Sequence, residues 1–559
     1  MNNTPTRQAD NPTKRFARID GSCSVYWFVF LGILAIGIYL RFQQISIQWL
    51  MDDEWHAVHK LIDSDGYAPI LLSFGRSDYS IPLTALYKLL AETVGLSELR
   101  MRLPMLLGGT LFLGLAMLWI RKRMSAMTAL VFGFLIAVSP LLINYSRNAR
   151  PYMLTLLIAG LATWALARWE RGGELRYAVG YLCCAWLAGW LHLIMAPFVL
   201  ALLLPLYIRL LRKSGSSAIG WHTLIMISFL AIAGTLALNL PPLLGDPAAM
   251  TAKTGSGLPN LDTLTGVWHI WLGSDSSAIV LIGLALAGLG LSSVRAKLPR
   301  EFRMWSSGLL AILVAILVMQ PAWVHNPLTF GRYLLPMLPL LLLMIAAGIV
   351  ALCRLFLSNL TQALVATSLS GLFLVGTPHA DLLSHPNNFT LHSYYQFDYR
   401  RAHNPVIQSF EPYKTPSPFW HQLSKSPPGS LIVAIAGQPS FESYFVLHPL
   451  YQPLHRQILL NLETGGVCSP TLPGEAFPQQ GVYLRNAITL GSQGDFARSR
   501  VNWVVLEYRQ LLPGPVDTPQ SYRDYIDRCR RELTARFGVP SYTDDYLVAF
   551  RVRHDHSLR

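Results

Sequence analysis

What most constrains this chain is a succession of apolar runs separated by short basic turns. Each run approaches the roughly 20 residues that a helix needs to cross hydrocarbon. The first extends from Val25 to Leu40. The polar, basic stretch before it (Arg7, Lys14, Arg15, Arg18) is followed by no small-residue cleavage site. Residues 1–24 therefore read as a cytoplasmic tail ahead of an uncleaved first span. Only 14% of the 559 residues are charged and 52% are hydrophobic, whereas a soluble domain is about one-quarter charged. The chain reads as a polytopic α-helical membrane protein. Its formal charge of +14 does not point to nucleic acid, because Lys and Arg fall largely in the short loops between apolar runs. That is the pattern of positive-inside topology.

The spans can be counted from their basic turns. Arg121-Lys122-Arg123 closes the second on the cytoplasmic side, and a third, about Ala126 to Ile143, returns outward. Pro151 to Ala167 crosses back to a charged turn at Arg168 to Arg176. The apolar stretch from Tyr177 to Leu211 is too long for one span and reads as two, turning outside near His192 to Pro197. A further span ends near Leu240, and others flank the basic segment Arg295 to Arg300. The last pair, about Tyr333 to Val350 and Leu355 to Val375, turns at Cys353-Arg354. The expectation is about eleven spans over residues 25–376, amino terminus inside and carboxyl terminus outside. One span miscounted between Tyr177 and Leu211 would put the tail inside.

From about Thr377 the composition turns polar. Strand-like segments at Leu431–Ala436, Val501–Leu506 and Tyr546–Val552, with helical signal over Tyr522–Phe537, predict a soluble extracytoplasmic α/β domain over residues 377–559. Cys468 and Cys529 could pair in an oxidising compartment, though sequence alone leaves this open. The sequon Asn388-Phe389-Thr390 has meaning only if the host glycosylates on that side.

Residues 46–102 form a long outer loop headed by Asp52-Asp53-Glu54. A single acid there would be read as a helix cap or an aqueous boundary. Three in a row, followed by a second polar segment and more spans, point to a site. Trp55, Val58, Leu61 and Ile62 recur at helical spacing, as do Leu83, Leu86, Leu89 and Leu90, divided by Ser80-Ile81-Pro82. Such segments suit helices lying in the membrane interface.

An ordered set of motifs carries a family resemblance. Asp53-Glu54 follows the first span, Ile81-Pro82-Leu83 lies in the loop, and Gly95-Leu96-Ser97-Glu98-Leu99-Arg100-Met101-Arg102-Leu103-Pro104 leads into the second span. Tyr145-Ser146-Arg147-Asn148-Ala149-Arg150-Pro151-Tyr152 and Gly331-Arg332-Tyr333-Leu334-Leu335-Pro336 follow. Over roughly residues 25–350 the chain resembles the GT-C glycosyltransferases related to protein O-mannosyltransferases and lipid A aminoarabinose transferases. The resemblance implies transfer of a sugar from a polyprenyl-phosphate donor to an acceptor hydroxyl of a lipid, polysaccharide or protein. Transfer would occur on the outer face of the membrane, with inversion at the anomeric carbon. It also implies that Asp53 is the catalytic acid position, acting as general base, and that Glu54 orients the acceptor or tunes Asp53. Asp52 is not implied.

The residues fit that chemistry. A hydroxyl is a poor nucleophile near neutrality and is helped by a positioned carboxylate. A lipid phosphate leaves readily once its charge is neutralised, and the planar fork of arginine suits it. Arg147 and Arg150, three residues apart, Arg332 and Lys88 are the candidate phosphate ligands; snorkelling to lipid headgroups is the bland alternative. Tyr145, Tyr152, Tyr333 and His192 are candidates to border the substrate, against the ordinary explanation of an interfacial aromatic belt. His56 and His59 with Asp52 and Asp53 could hold a divalent metal ion, although the family pattern does not usually carry that pair. The competing class is a lipid or sugar transporter or flippase, which places ionisable groups near the midplane on broken helices. Here the polar clusters sit at the outer ends of the runs. A bacterial inner membrane is the expected location.

Overall fold

The computed structural model describes residues 12–554 apart from 44, 46–49, 51–53, 63, 75–79, 213–218, 252, 256, 275, 323, 356–357, 376–415, 437–450, 452–453, 462–467, 469–499 and 509–518. Asp52 and Asp53 lie outside the described residues, as does the side chain of His59.

The helices run α1 (Pro12–Phe42), α2 (Trp55–Ile62), α3 (Ala68–Leu71), α4 (Ile81–Thr93), α5 (Glu98–Arg123), α6 (Ala126–Val138), α7 (Pro140–Arg147), α8 (Tyr152–Gly172) and α9 (Leu175–Leu191). They continue as α10 (Met195–Ala201), α11 (Leu204–Leu211), α12 (Trp221–Gly245), α13 (Pro247–Thr251), α14 (Leu261–Leu272) and α15 (Ser277–Lys297). The bundle closes with α16 (Pro299–Met319), α17 (Pro327–Tyr333), α18 (Met337–Cys353) and α19 (Asn359–Val375).

Among the described residues six helices are long and apolar enough to cross a membrane: α1 from Ser24 onward, α5, α8, α12, α15 and α16. Two bent pairs, α6–α7 and α17–α18, bring the number to eight. The chain is a multi-pass helical membrane protein. The other three spans expected from sequence fall on α9, on α10–α11 and on α19. At 17 residues, α9 and α19 rise only about 26 Å each, short of a hydrocarbon core roughly 30 Å thick.

Both bends have a chemical cause. The expected third span breaks at Ser139-Pro140, where the chain turns by 57°. Proline offers no amide hydrogen and its ring collides with the preceding turn, and Ser139 takes the extended geometry that a following proline favours. The second break, 86° between α17 and α18, spans Leu334-Leu335-Pro336. Elsewhere the bundle is close-packed. A Cβ on Gly290 of α15 would lie 1.9 Å from the Met344 carbonyl of α18, and one on Gly348 would lie 1.9 Å from that of Leu286. Backbones approach this closely only where both partners are small.

At the end of the bundle carrying the basic turns, two buried carboxylates tie four helices. Glu170 pairs with Arg209 (2.7 Å) and Arg300 (3.2 Å), and Glu301 pairs with Arg171 and Arg123. Neighbours in sequence thus pair crosswise: Glu170 and Arg171 on α8 with Arg300 and Glu301 on α16.

Beyond the bundle, α20 (Pro418–Leu423), β1 (Ile432–Ile435), β2 (Ile458–Asn461), β3 (Trp503–Glu507), α21 (Pro519–Phe537), β4 (Tyr542–Thr543) and β5 (Leu547–Arg551) build a five-stranded sheet of order β2-β1-β3-β5-β4. β1 is parallel to both β2 and β3, while β5 runs antiparallel to β3 and β4. β1, β3 and β5 are nearly continuous buried apolar runs, as expected of strands covered on both faces. Cys468 and Cys529 form a disulfide. Beside it the Tyr525 hydroxyl donates to the Cys468 carbonyl at 2.8 Å.

Candidate functional site

The site end of the bundle is built on an exchange of caps. Helix α1 ends in Arg41, which is closed off from solvent. Its guanidinium donates to the Ile136 and Ala137 carbonyls at 3.3 and 3.2 Å, the end of α6 that the break at Pro140 leaves unpaired. It also donates to Ser146 Oγ at 3.1 Å. In return Arg147 of α7 sends Nη1 to carbonyls at and just past the end of α1, Arg41 at 2.9 Å and Gln43 at 2.8 Å. Each arginine satisfies acceptors that a helix terminus cannot satisfy itself.

The outer loop is locked onto this frame by Glu54. Its carboxylate accepts from Arg102 Nε at 2.8 Å and Nη2 at 2.7 Å, and from the Ala149 amide at 2.7 Å. Both side chains of the ion pair are buried. A charged pair survives burial only when its geometry is good and its remaining lone pairs are satisfied, and the Ala149 amide supplies a third donor. Tyr87 of α4 completes the lock, its hydroxyl donating to the Met101 carbonyl (2.9 Å) and the Ala149 carbonyl (3.4 Å). Burial pushes the Tyr87 phenol well above its ordinary range, with Glu54 adding to the shift and Arg150 and Arg102 opposing it. The phenol therefore stays protonated and remains a donor. The turn Asn148-Ala149-Arg150 is thereby fixed between the loop and α8, with Arg150 itself buried.

Immediately beyond that turn, three separate stretches of sequence meet in a narrow cleft. Tyr152 and Thr155 of α8, His192 at the end of α9, and Arg332, Tyr333 and Pro336 at the break between α17 and α18 line it. The Tyr145 and Tyr152 rings have centroids 4.7 Å apart, and Tyr152 lies 5.3 Å from His192. The Arg332 guanidinium sits 5.7 Å from the Tyr152 ring centroid and 5.6 Å from that of Tyr333, within the range of cation–π attraction. Asn326 caps α17 by accepting from the Leu328 and Thr329 amides. Trp271 Nε1 donates to the Gly331 carbonyl at 3.3 Å, so the short helix presenting Arg332 is held at both ends. The 86° turn that follows it delivers Arg332 and Tyr333 to the cleft.

Five of the residues singled out in the sequence therefore come together: Tyr145, Tyr152, His192, Arg332 and Tyr333. Glu54 and Arg150 lie on the lock beside them. Lys88 does not join this group through any contact seen here. It pairs with Glu92 at 3.1 Å and lies 5.6 Å from the Tyr67 ring, partly buried on α4. His56 is on α2, partly buried. Among the described residues no three His, Cys, Asp or Glu could hold a metal ion; Asp52, Asp53 and the His59 side chain are not among them. The sequence reading passed over Arg102, Tyr87 and Arg41. An arginine near the end of an apolar helix is costly unless paired, and that was the available signal for Arg41 and Arg102.

Compared with solved structures, the chain is similar to ArnT from Cupriavidus metallidurans. Against the form bound to undecaprenyl phosphate, identity is 12% and the TM-score 0.43, covering 94% of this chain and 98% of that one. Against the apo form, identity is 13% and the TM-score 0.45, covering 95% and 98%. It is also similar to an oligosaccharyltransferase of Archaeoglobus fulgidus in complex with Zn and sulfate, at 12% identity and TM-score 0.36 over 86% of this chain and 68% of that one. No family model and no curated protein matches the sequence. With identities this low and TM-scores below one half, function has to be read from the residues of this chain.

Proposed function

We propose that this protein is an inverting glycosyltransferase that moves a sugar from a polyprenyl-phosphate carrier to an acceptor hydroxyl on the outer face of a bacterial inner membrane. One observation carries the reading: Arg332, flanked by Tyr152 and Tyr333, lines with His192 a narrow cleft of about 10 Å³ that adjoins the turn Glu54 grips. Asp53 is the residue before Glu54 in the sequence.

In this reading Asp53 takes the proton from the acceptor hydroxyl as it attacks the anomeric carbon. The bond to the carrier phosphate breaks on the opposite side, and Arg332 neutralises the charge that accumulates on the departing oxygen. Arg150 is the second phosphate ligand. Arg147 has the different task of holding α7 to the end of α1. Tyr145, Tyr152, Tyr333 and His192 border the sugar, and aromatic faces that already hold a guanidinium provide a rigid, partly apolar surface for it. Glu54 holds its part of the loop to the bundle through Arg102 and the Ala149 amide.

The test is reconstitution into liposomes with a polyprenyl-phosphate sugar labelled in the sugar. Release of free polyprenyl phosphate, with label appearing on a hydroxyl acceptor in the opposite anomeric configuration, supports the proposal. An intact labelled lipid that merely crosses the bilayer faster in the presence of the protein replaces it with the transporter reading.

A further inference from the structure

A second cavity reaches the end of the bundle that carries the basic turns. It is a groove of about 610 Å³ between α5, α8, α15, α16 and α18, within the roughly 300–1,000 Å³ usual for ligand sites. Helices α5 and α8 both start at the site end, with Arg102 and Tyr152, and the groove follows α5 from Phe112 to Arg123 and α8 from Leu157 to Arg171. Its cationic rim at Arg168 and Arg171 lies about 24–28 Å along α8 from Tyr152, at about 1.5 Å per residue, so the rim is no part of the cleft described above.

Its character changes along its length. The inner part is apolar, walled by Phe112, Leu161, Phe302 and Leu343. Its flank is open to lipid, since Leu115, Leu161 and Trp164 are each more than a third exposed. The rim is cationic: Lys122, Arg123, Arg168 and Arg171 against the single carboxylate of Glu301. Glu301 is engaged by Arg123 and Arg171, and Arg171 keeps a buried Nε with no hydrogen-bond partner among the described residues. Lys122 and Arg168 are exposed, with the Arg168 guanidinium 5.9 Å from the Trp164 ring centroid. Capping of helix carboxyl ends accounts for basic residues in the last turns of α5 and α8. It does not account for an apolar groove open to the bilayer directly beneath them.

We propose that this groove is a binding site for one anionic diacyl phospholipid, drawn from the leaflet that the basic turns assign to the cytoplasm. Its phosphate sits among Lys122, Arg168 and Arg171, and one acyl chain enters past Leu161 and Trp164 to lie between α5–α8 and α16–α18. Charge complementarity selects the occupant. That leaflet carries the anionic headgroups that attract juxtamembrane basic clusters, and a zwitterionic lipid offers no net charge to a rim holding four cations and one carboxylate. The site depends on Gly160, where an added Cβ would meet only Phe112 at 3.7 Å. A larger side chain there grows into the groove without displacing the helices.

The experiment titrates the purified full-length protein, delipidated in a neutral detergent, with dioleoyl phosphatidylglycerol, dioleoyl phosphatidylcholine or undecaprenyl phosphate. Binding is read by native mass spectrometry and by thermal shift. The expected result is one tightly held phosphatidylglycerol on wild type and a raised melting temperature that phosphatidylcholine does not reproduce. Lys122→Ala with Arg168→Ala should weaken binding roughly thirtyfold, the strength of two surface cations at about 1 kcal/mol each. Gly160→Leu should abolish binding while the unliganded protein melts as wild type does. Equal binding of phosphatidylcholine, unchanged phosphatidylglycerol binding in Gly160→Leu, or preference for undecaprenyl phosphate would each overturn the proposal.

Discussion

Arg102 and Glu54, 48 residues apart in the chain, form a two-point ion pair from which water is almost wholly excluded, at 2.8 and 2.7 Å. This pair turns the acidic head of the outer loop into a fixed part of the bundle, because the same carboxylate also holds the Ala149 amide. Removing one member of a buried pair leaves the other charged and unsolvated, at a cost of roughly 3–5 kcal/mol. Glu54→Leu and Arg102→Met should each lower the melting temperature markedly. The double change Glu54→Leu with Arg102→Met should recover much of the loss. A double variant as unstable as the sum of the singles would show that the pair is not the coupling element.

Arg332 offers a second test, because it is only partly buried and sits between the Tyr152 and Tyr333 rings. Arg332→Ala should raise the KM for the lipid donor by roughly ten- to a hundredfold, the range for a hydrogen bond to a charged group. Arg332→Lys should recover only part, since an ammonium keeps the charge and loses the planar fork. Initial rates across donor concentrations separate the two.

The Cys468–Cys529 disulfide closes a loop across a separation of 61 residues, for which the chain-entropy model gives about 4 kcal/mol. Cys529→Ser, or reduction of the wild type, should expose the carboxyl-terminal region to protease while leaving the helical bundle folded. Fragment mapping after limited proteolysis checks this directly.

A pH response follows from Asp544. Burial pushes its carboxyl upward, but donation from Ser417 Oγ, the Tyr546 and Leu547 amides and the Tyr542 hydroxyl outweighs it, and the group lies below its ordinary value. A carboxyl depressed in the folded state contributes stability above its unfolded pKa, near 4, and loses it as pH falls through the folded value. Protection of the β5 amides against hydrogen exchange should therefore fall below about pH 4. Asp544→Asn should show the weaker protection already at pH 7 and a flatter dependence.

Much of this architecture is written locally. Basic turns such as Arg121-Lys122-Arg123 mark helix ends, and Ile432–Ile435, Trp503–Glu507 and Leu547–Arg551 are strands where the apolar runs sit. The meeting of Tyr152, His192 and Arg332 was legible only as motifs in order, without their geometry. What escaped the sequence is long-range or broken. The pairing of Glu54 with Arg102 has no local periodicity to announce it. The bend at Pro140 was hidden because length and hydropathy alone favour an unbroken span over Ala126 to Ile143. Short helices such as α9 show why counting apolar residues yields more spans than the length test among described residues does.

The most direct measurement compares donor consumption by wild type and Asp53→Asn, reconstituted at equal abundance and with melting temperatures shown to match. Arg102 pairs with Glu54, and the matched melting temperatures show whether the lock survives the substitution at Asp53. The expected result is loss of sugar transfer by roughly a hundredfold or more, the low end of what a positioned general base contributes, with donor binding retained. Equal turnover by the two proteins would remove Asp53 as the base and, with it, the proposed mechanism.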